Sequence, residues 1–138
     1  MKTVGFNFTK ISVERTEDFK GSVRDIKVDS SLNVSDIEEL KSHLLKTKDQ
    51  VIKSNFKYGI NYDPNFAKVN IEGNVIITVD PKLGKKILKE WKKKKIEEEF
   101  QIYLFNVIIK KATLRALYLE EELNLPTHFP LPSVKKKK

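Results

Sequence analysis

The chain has no cysteine, which excludes disulfides, thiolate metal sites and a cysteine nucleophile. Histidine is nearly absent too. His43 and His128 are far apart and lack metal-ligand spacing, so both read as ordinary surface or packing residues. No Gly-x-Ser-x-Gly elbow occurs. Gly84-Lys85-Lys86 lacks the earlier glycine and the following Ser or Thr of a phosphate loop, and reads as a helix glycine beside lysines. Asp25 with Asp29, or Glu97 to Glu99, could pair as carboxylates, but solvated charges on a strand or at a helix start account for them. We therefore expect no enzymatic activity, no metal site and no cofactor.

Long apolar runs are also missing. The longest, Ile102 to Ile109, is broken by Asn106 and is less than half of the roughly 20 residues that span a bilayer. The first residues, Met1 to Phe6, alternate apolar with polar or small side chains, whereas a signal peptide needs continuous apolar sequence. A cytoplasmic protein without membrane insertion is expected. Arginine is scarce: Arg15, Arg24 and Arg115 are the only three among 27 basic residues. The net charge of +8 admits nucleic acid, a membrane surface or an acidic protein as partners. Lysine lacks the planar fork that reads bases, so this charge suits non-specific attraction.

What is present fits one α+β domain over residues 1–134, followed by the basic tail 135–138. An apolar fraction of 39% in 138 residues is enough for a core. Val4, Phe6 and Phe8 share one parity and Ile11 and Val13 the other, which predicts a strand over 4–14 with a bulge near Thr9-Lys10. Ile26, Val28, Leu32 and Val34 predict a second strand, antiparallel to the first if a hairpin joins them. Ser35-Asp36-Ile37-Glu38 has capping-box spacing, so a short helix is expected over 36–46. Ile52, Phe56, Tyr58, Ile60 and Tyr62 alternate, Asp63-Pro64-Asn65 turns, and Val69, Ile71, Val75, Ile77 and Val79 alternate again. These predict a hairpin whose second strand is unbroken, Gly73 being a bulge or a point of close approach.

Asp80-Pro81 changes the period to helical, with Asp as N-cap and Pro at the first helical position. Leu83, Ile87, Leu88 and Trp91 form its apolar stripe. A phase slip at 93–96 predicts a break there. A second helix follows to about Leu123, its first turn holding Glu97 to Glu99. Tyr103, Leu104, Val107 and Leu114 face one way and Phe105, Ile109, Ala112 and Leu119 another. Two apolar stripes need two covers, and in a small domain the second is another subunit. The alternative is a strand, because the 102–109 segment is rich in β-formers. The prolines after Leu125 cannot continue a helix, so the tail should run extended.

Two candidate surfaces come from these elements. Lys82, Lys85, Lys86, Lys89 and Lys93 line the outer face of the first helix and could neutralise the phosphates of RNA, including ribosomal RNA; a solvated face is the plainer reading. Phe56, Tyr58, Trp91 and Phe105 could line apolar grooves between sheet and helices that take up extended polypeptide. The same four residues are what a core or subunit interface would use.

The layout resembles the SecB-like protein-export chaperones. Phe6-Asn7-Phe8-Thr9-Lys10-Ile11 is similar to the family's opening strand and Ile26-Lys27-Val28-Asp29 to the start of its second. Leu104-Phe105-Asn106-Val107 stands in place of a Leu-Phe-Pro-Tyr segment. Pro126, Phe129-Pro130-Leu131-Pro132 and Val134 resemble the proline-rich ending. The resemblance implies a four-stranded antiparallel sheet followed by a long and then a shorter helix on one face. It also implies assembly into a dimer or tetramer and the holding of unfolded polypeptide. Asn106 replaces the motif's proline, Ile109 falls where an arginine is expected, and the acidic surface that docks on a translocation motor has no counterpart in this basic chain.

Overall fold

The computed structural model describes residues 1–16, 25–41 and 48–136. The alternating segments become four long strands: β1 (Lys2–Arg15), β2 (Lys27–Leu40), β3 (Gln50–Asp63) and β4 (Ala67–Val79). Two helices follow, α1 (Pro81–Trp91) and α2 (Glu98–Glu122). The strands form one antiparallel sheet in the order β1-β4-β3-β2. β1 and β2 are therefore opposite edges and not a paired hairpin; β1 pairs with β4 and β2 with β3.

One parity of each central strand forms the core. Ile52, Ile60, Ile71 and Ile77 have no exposed surface, each contributing about 1.5–3 kcal/mol relative to exposure. The other parity, including Lys57, Lys68, Asn70 and Glu72, forms a polar outer face. Both helices lie on the apolar side, since Ile87 of α1 and Phe100, Leu104 and Ile108 of α2 join the core.

The β3–β4 pairing runs without a register shift, as the alternation predicts. Gly73 is a point of close approach: a Cβ there would lie 2.2 Å from the Asn7 carbonyl oxygen and 2.8 Å from Cζ of Phe56. β1 bulges at Thr9 as expected, and also at Val4. The helix expected over 36–46 is not formed where the structure describes it. Residues 35–40 continue β2, and 42–47, including His43, lie outside the described residues. A bulge at Ser35 places Val34 opposite Phe56 and Ile37 opposite Ser54. Val34 and Ile37 thus share the core face at a spacing of three, which imitates a helical stripe.

α1 begins as the sequence predicts, the Asp80 carboxylate accepting from Leu83 N at 3.0 Å. The chain breaks at 92–97, where the phase slips. The 102–109 segment is helix and not strand. The 11-residue helix precedes the 25-residue one, the reverse of the order implied by the resemblance. Along α2 the buried residues recur every fourth position from Phe100 to Glu120. This stripe winds around the helix because four residues exceed one 3.6-residue turn. Leu104 and Ala112 are thus buried together, while Leu114 is 63% exposed. No helix among the described residues is long and apolar enough to cross a membrane.

Candidate functional site

Because β2 is an edge, its core-facing Leu32 and Val34 stay half-buried. α2 passes over the sheet beside them. The two elements leave a cleft of about 340 Å³, with Ser30, Ser31 and Leu32 on the strand side and Ile109 and Thr113 on the helix side. Tyr58, paired with Leu32, contributes to the floor, and His128 and Phe129 close one end. Phe105 is one helical turn before Ile109 and half-buried, so it continues the helix wall in the direction of Val34.

The closed end is built by the exit from α2. Asn124 adopts a left-handed conformation, φ 53°, which asparagine tolerates at a helix C-terminus. Leu125 N then donates to Glu120 O at 2.8 Å and Asn124 N to Glu121 O at 3.3 Å. Arg15 Nη1 donates to Leu123 O at 2.7 Å, placing a cation at the negative helix pole. This turn buries Leu125 and brings the chain back along the helix. His128 N donates to Glu120 Oε2 at 2.9 Å, and the His128 ring bonds through Nδ1 to Glu120 Oε1 at 2.8 Å. The Tyr62 hydroxyl also donates to Glu120 Oε2. Tyr58 Oη and His128 Nε2 are 3.0 Å apart.

Glu120 has no exposed surface, yet both its oxygens are bonded, as a buried carboxylate requires. Burial pushes the Tyr62 phenol strongly up, reinforced by its bond to Glu120 and that carboxylate's charge. Burial also pushes up Tyr58, with a smaller contribution from the charge of Glu120 and an opposing one from Thr113. The network fixes the tail against the cleft. His128 is a packing residue, but one bound into a polar cluster. The signals in the sequence were Glu120, the last member of the four-residue stripe from Phe100, and Asn124-Leu125-Pro126 as a helix stop.

The four aromatic candidates have different environments. Phe56, 1% exposed, is the β3 register partner of Val34, but its ring lies over Gly73 toward β1, 5.5 Å from the Phe6 ring. Tyr58 is buried but reaches the cleft. Phe105 and Trp91 are half-buried. Trp91 Nε1 donates to Asp36 Oδ1 at 3.3 Å, tying the end of α1 to β2. Tyr58 is thus at the floor and Phe105 on the helix wall, whereas Phe56 belongs to the core toward β1 and Trp91, at the end of α1, lies beside β2 at Asp36. Lys82, Lys85, Lys86, Lys89 and Lys93 are all exposed.

A second depression, on the polar outer face around Gly59, is lined by Lys10, Asn33, Lys57, Asn70 and Glu72. Its charges pair among themselves, with Lys57 at 3.5 Å and Lys10 at 3.8 Å from Glu72. Exposed pairs of this type contribute little, and the lining is mainly polar, with Tyr58 and Ile71 its apolar members.

No family model matches the sequence, and no curated protein matches it. Among solved structures, the fold is similar to the SecB-like chaperone Rv1957 of Mycobacterium tuberculosis, in complex with a ChAD peptide from the Rv1956 HigA1 antitoxin. The TM-score is 0.54 at 12% identity, covering 99% of this chain and 92% of that one. At that identity the likeness speaks for the fold alone: four antiparallel strands followed by two helices on one face make this chain SecB-like in fold.

Proposed function

We propose that the chain holds extended or unfolded polypeptide, without catalysis, in the cleft between α2 and the β2 edge. The observation that supports this is the cleft itself, open to solvent and walled by Leu32, Ile109 and Phe129. Apolar surface of this kind costs free energy in water unless a partner covers it. Its occurrence in a fold whose solved counterpart was captured with a peptide favours polypeptide as the occupant. Tyr58, Phe105 and Trp91 extend the strip, and Phe56 serves as core next to it. The outward side of α2, where Ile102, Leu114 and Tyr118 are each more than half exposed, is the face that a further copy of the chain would cover.

The test is suppression of aggregation of a chemically unfolded client at about 0.3 M salt, where exposed charge attraction is screened. Protection near one assembled unit per client chain is expected. Ile109→Asp and Phe129→Asp should each raise the amount needed for half-protection about tenfold, equivalent to about 1.4 kcal/mol of binding. Absence of protection by the folded wild-type chain would refute the function.

A further inference from the structure

Positive charge is concentrated in this molecule. Lys82 to Lys95 contains eight lysines and one acid, Glu90, which is +7 of the net +8. With the run Lys135 to Lys138 also set aside, the remaining chain has 15 basic and 18 acidic residues. All eight lysines are exposed. α1 buries Gly84 and Ile87, which turns its lysines outward, and the turn after Trp91 extends the patch. That turn closes through Lys94 at φ 60° and a bond from Lys95 N to Glu90 O at 3.1 Å. Among the described residues only Lys86 of the eight has a carboxylate within 4 Å, Glu97 at 3.9 Å.

The surroundings of the patch narrow the partner. α1 has used its apolar side against the sheet, so it has no apolar face to enter a bilayer. The patch offers no arginine to fork a phosphate and no exposed aromatic to stack a base; Trp91 is half-buried, with Lys94 Nζ 4.8 Å from its ring centroid. Its position points to polypeptide. Trp91 is tied to Asp36, and Leu32 of the same strand lines the cleft. With the bulge at Ser35, Leu32 and Asp36 stand opposite Tyr58 and Asn55, three ladder steps apart, or about 10 Å. An extended chain leaving the cleft along β2 reaches the end of α1, where Lys92 to Lys95 follow Trp91, within about three or four of its own residues.

We infer that the lysine end selects among clients: it favours an apolar segment with a run of Asp and Glu within about half a dozen residues of it. This rests on the polypeptide-holding reading. The client's apolar part occupies the cleft, and its acidic part pairs with lysines that otherwise face water. Such pairs act over a Debye length of about 10 Å at 0.1 M salt, so the preference is strong at low salt and fades at high salt.

The test uses three fluorescein-labelled peptides with one apolar core and acidic, neutral or basic flanks. Anisotropy titrations use the wild-type chain, a variant combining Lys89→Gln, Lys92→Gln, Lys93→Gln and Lys95→Gln, and the Ile109→Asp variant. Glutamine keeps helix propensity close to that of lysine at Lys89, and the other three side chains are exposed beyond the helix. At about 0.05 M salt the acidic-flanked peptide should bind wild type about tenfold more tightly than the neutral one, falling to about twofold in the glutamine variant or at about 0.5 M salt. The neutral peptide should bind both chains alike. Equal wild-type affinities for acidic and neutral peptides would overturn the inference and leave polypeptide holding intact. Undiminished binding of the acidic peptide to Ile109→Asp would overturn it as well, making the patch an independent polyanion site; displacement of that peptide by a short RNA would then assign the lysines to nucleic acid. If none of the peptides binds, polypeptide holding fails and the inference fails with it.

Discussion

Glu120 is the residue whose neighbours decide most about the C-terminal end of the fold. Its buried carboxylate accepts from Tyr62, from the His128 backbone and from the His128 ring. Removing one donor leaves part of a buried charge unsatisfied. Tyr62→Phe should therefore cost about 1–3 kcal/mol in urea unfolding. The tyrosines also set an alkaline limit. In the unfolded chain they ionise near 10.0, whereas in the fold Tyr58 and Tyr62 hold their protons to higher pH. Their contribution is complete below pH 10 and is lost as pH rises above it. The melting temperature should fall steeply above pH 10 and less steeply in Tyr62→Phe; equal slopes would clear Tyr62 of the effect. Period-two alternation placed Tyr62 and Phe56 on the covered face. It could not show that Glu120 is buried, because Glu120-Glu121-Glu122 reads as an ordinary charged helix end and only the phase from Phe100 separates the first from the other two.

Among the elements, β4 has the least room. It is hydrogen-bonded on both sides, and at Gly73 the β1 backbone and the Phe56 ring leave no space for a methyl group. Gly73→Ala should cost about 3 kcal/mol, since neither neighbour can withdraw without disturbing the sheet. Gly59→Ala is the control: its Cβ would meet nothing nearer than Ser31 Oγ at 3.5 Å, so it should be close to neutral. Denaturant midpoints at unchanged m-value decide between them. The close approach was legible from the parity of Ile71 and Val75 on either side of Gly73. The continuation of β2 was not. A bulge at Ser35 and a capping box both put residues three apart on one side of the chain, and only the partner strand distinguishes them.

At the scale of the whole molecule, strands followed by helices were legible from the change of period at Asp80-Pro81, whereas the strand order depends on long-range pairing that alternation does not encode. The cleft depends on that order, because it exists only where β2 is an edge beside α2. The outward apolar side of α2 carries a separate prediction. Leu114→Glu and Tyr118→Glu together should shift sedimentation toward the monomer while leaving the circular dichroism unchanged; an unaltered assembly would place the subunit contact elsewhere. The order β1-β4-β3-β2 has a further consequence for how the chain reaches its native state. β3 and β4 are joined by three residues and can zip from their turn, but β1 meets β4 at the near end through Arg15 and Ala67 and must close a loop of 51 residues, seventeen times longer, at an entropic cost that grows with the logarithm of its length. During synthesis the first strand emerges long before its partner. A protein proposed to shelter unpaired polypeptide thus begins its own life with an apolar edge in need of shelter.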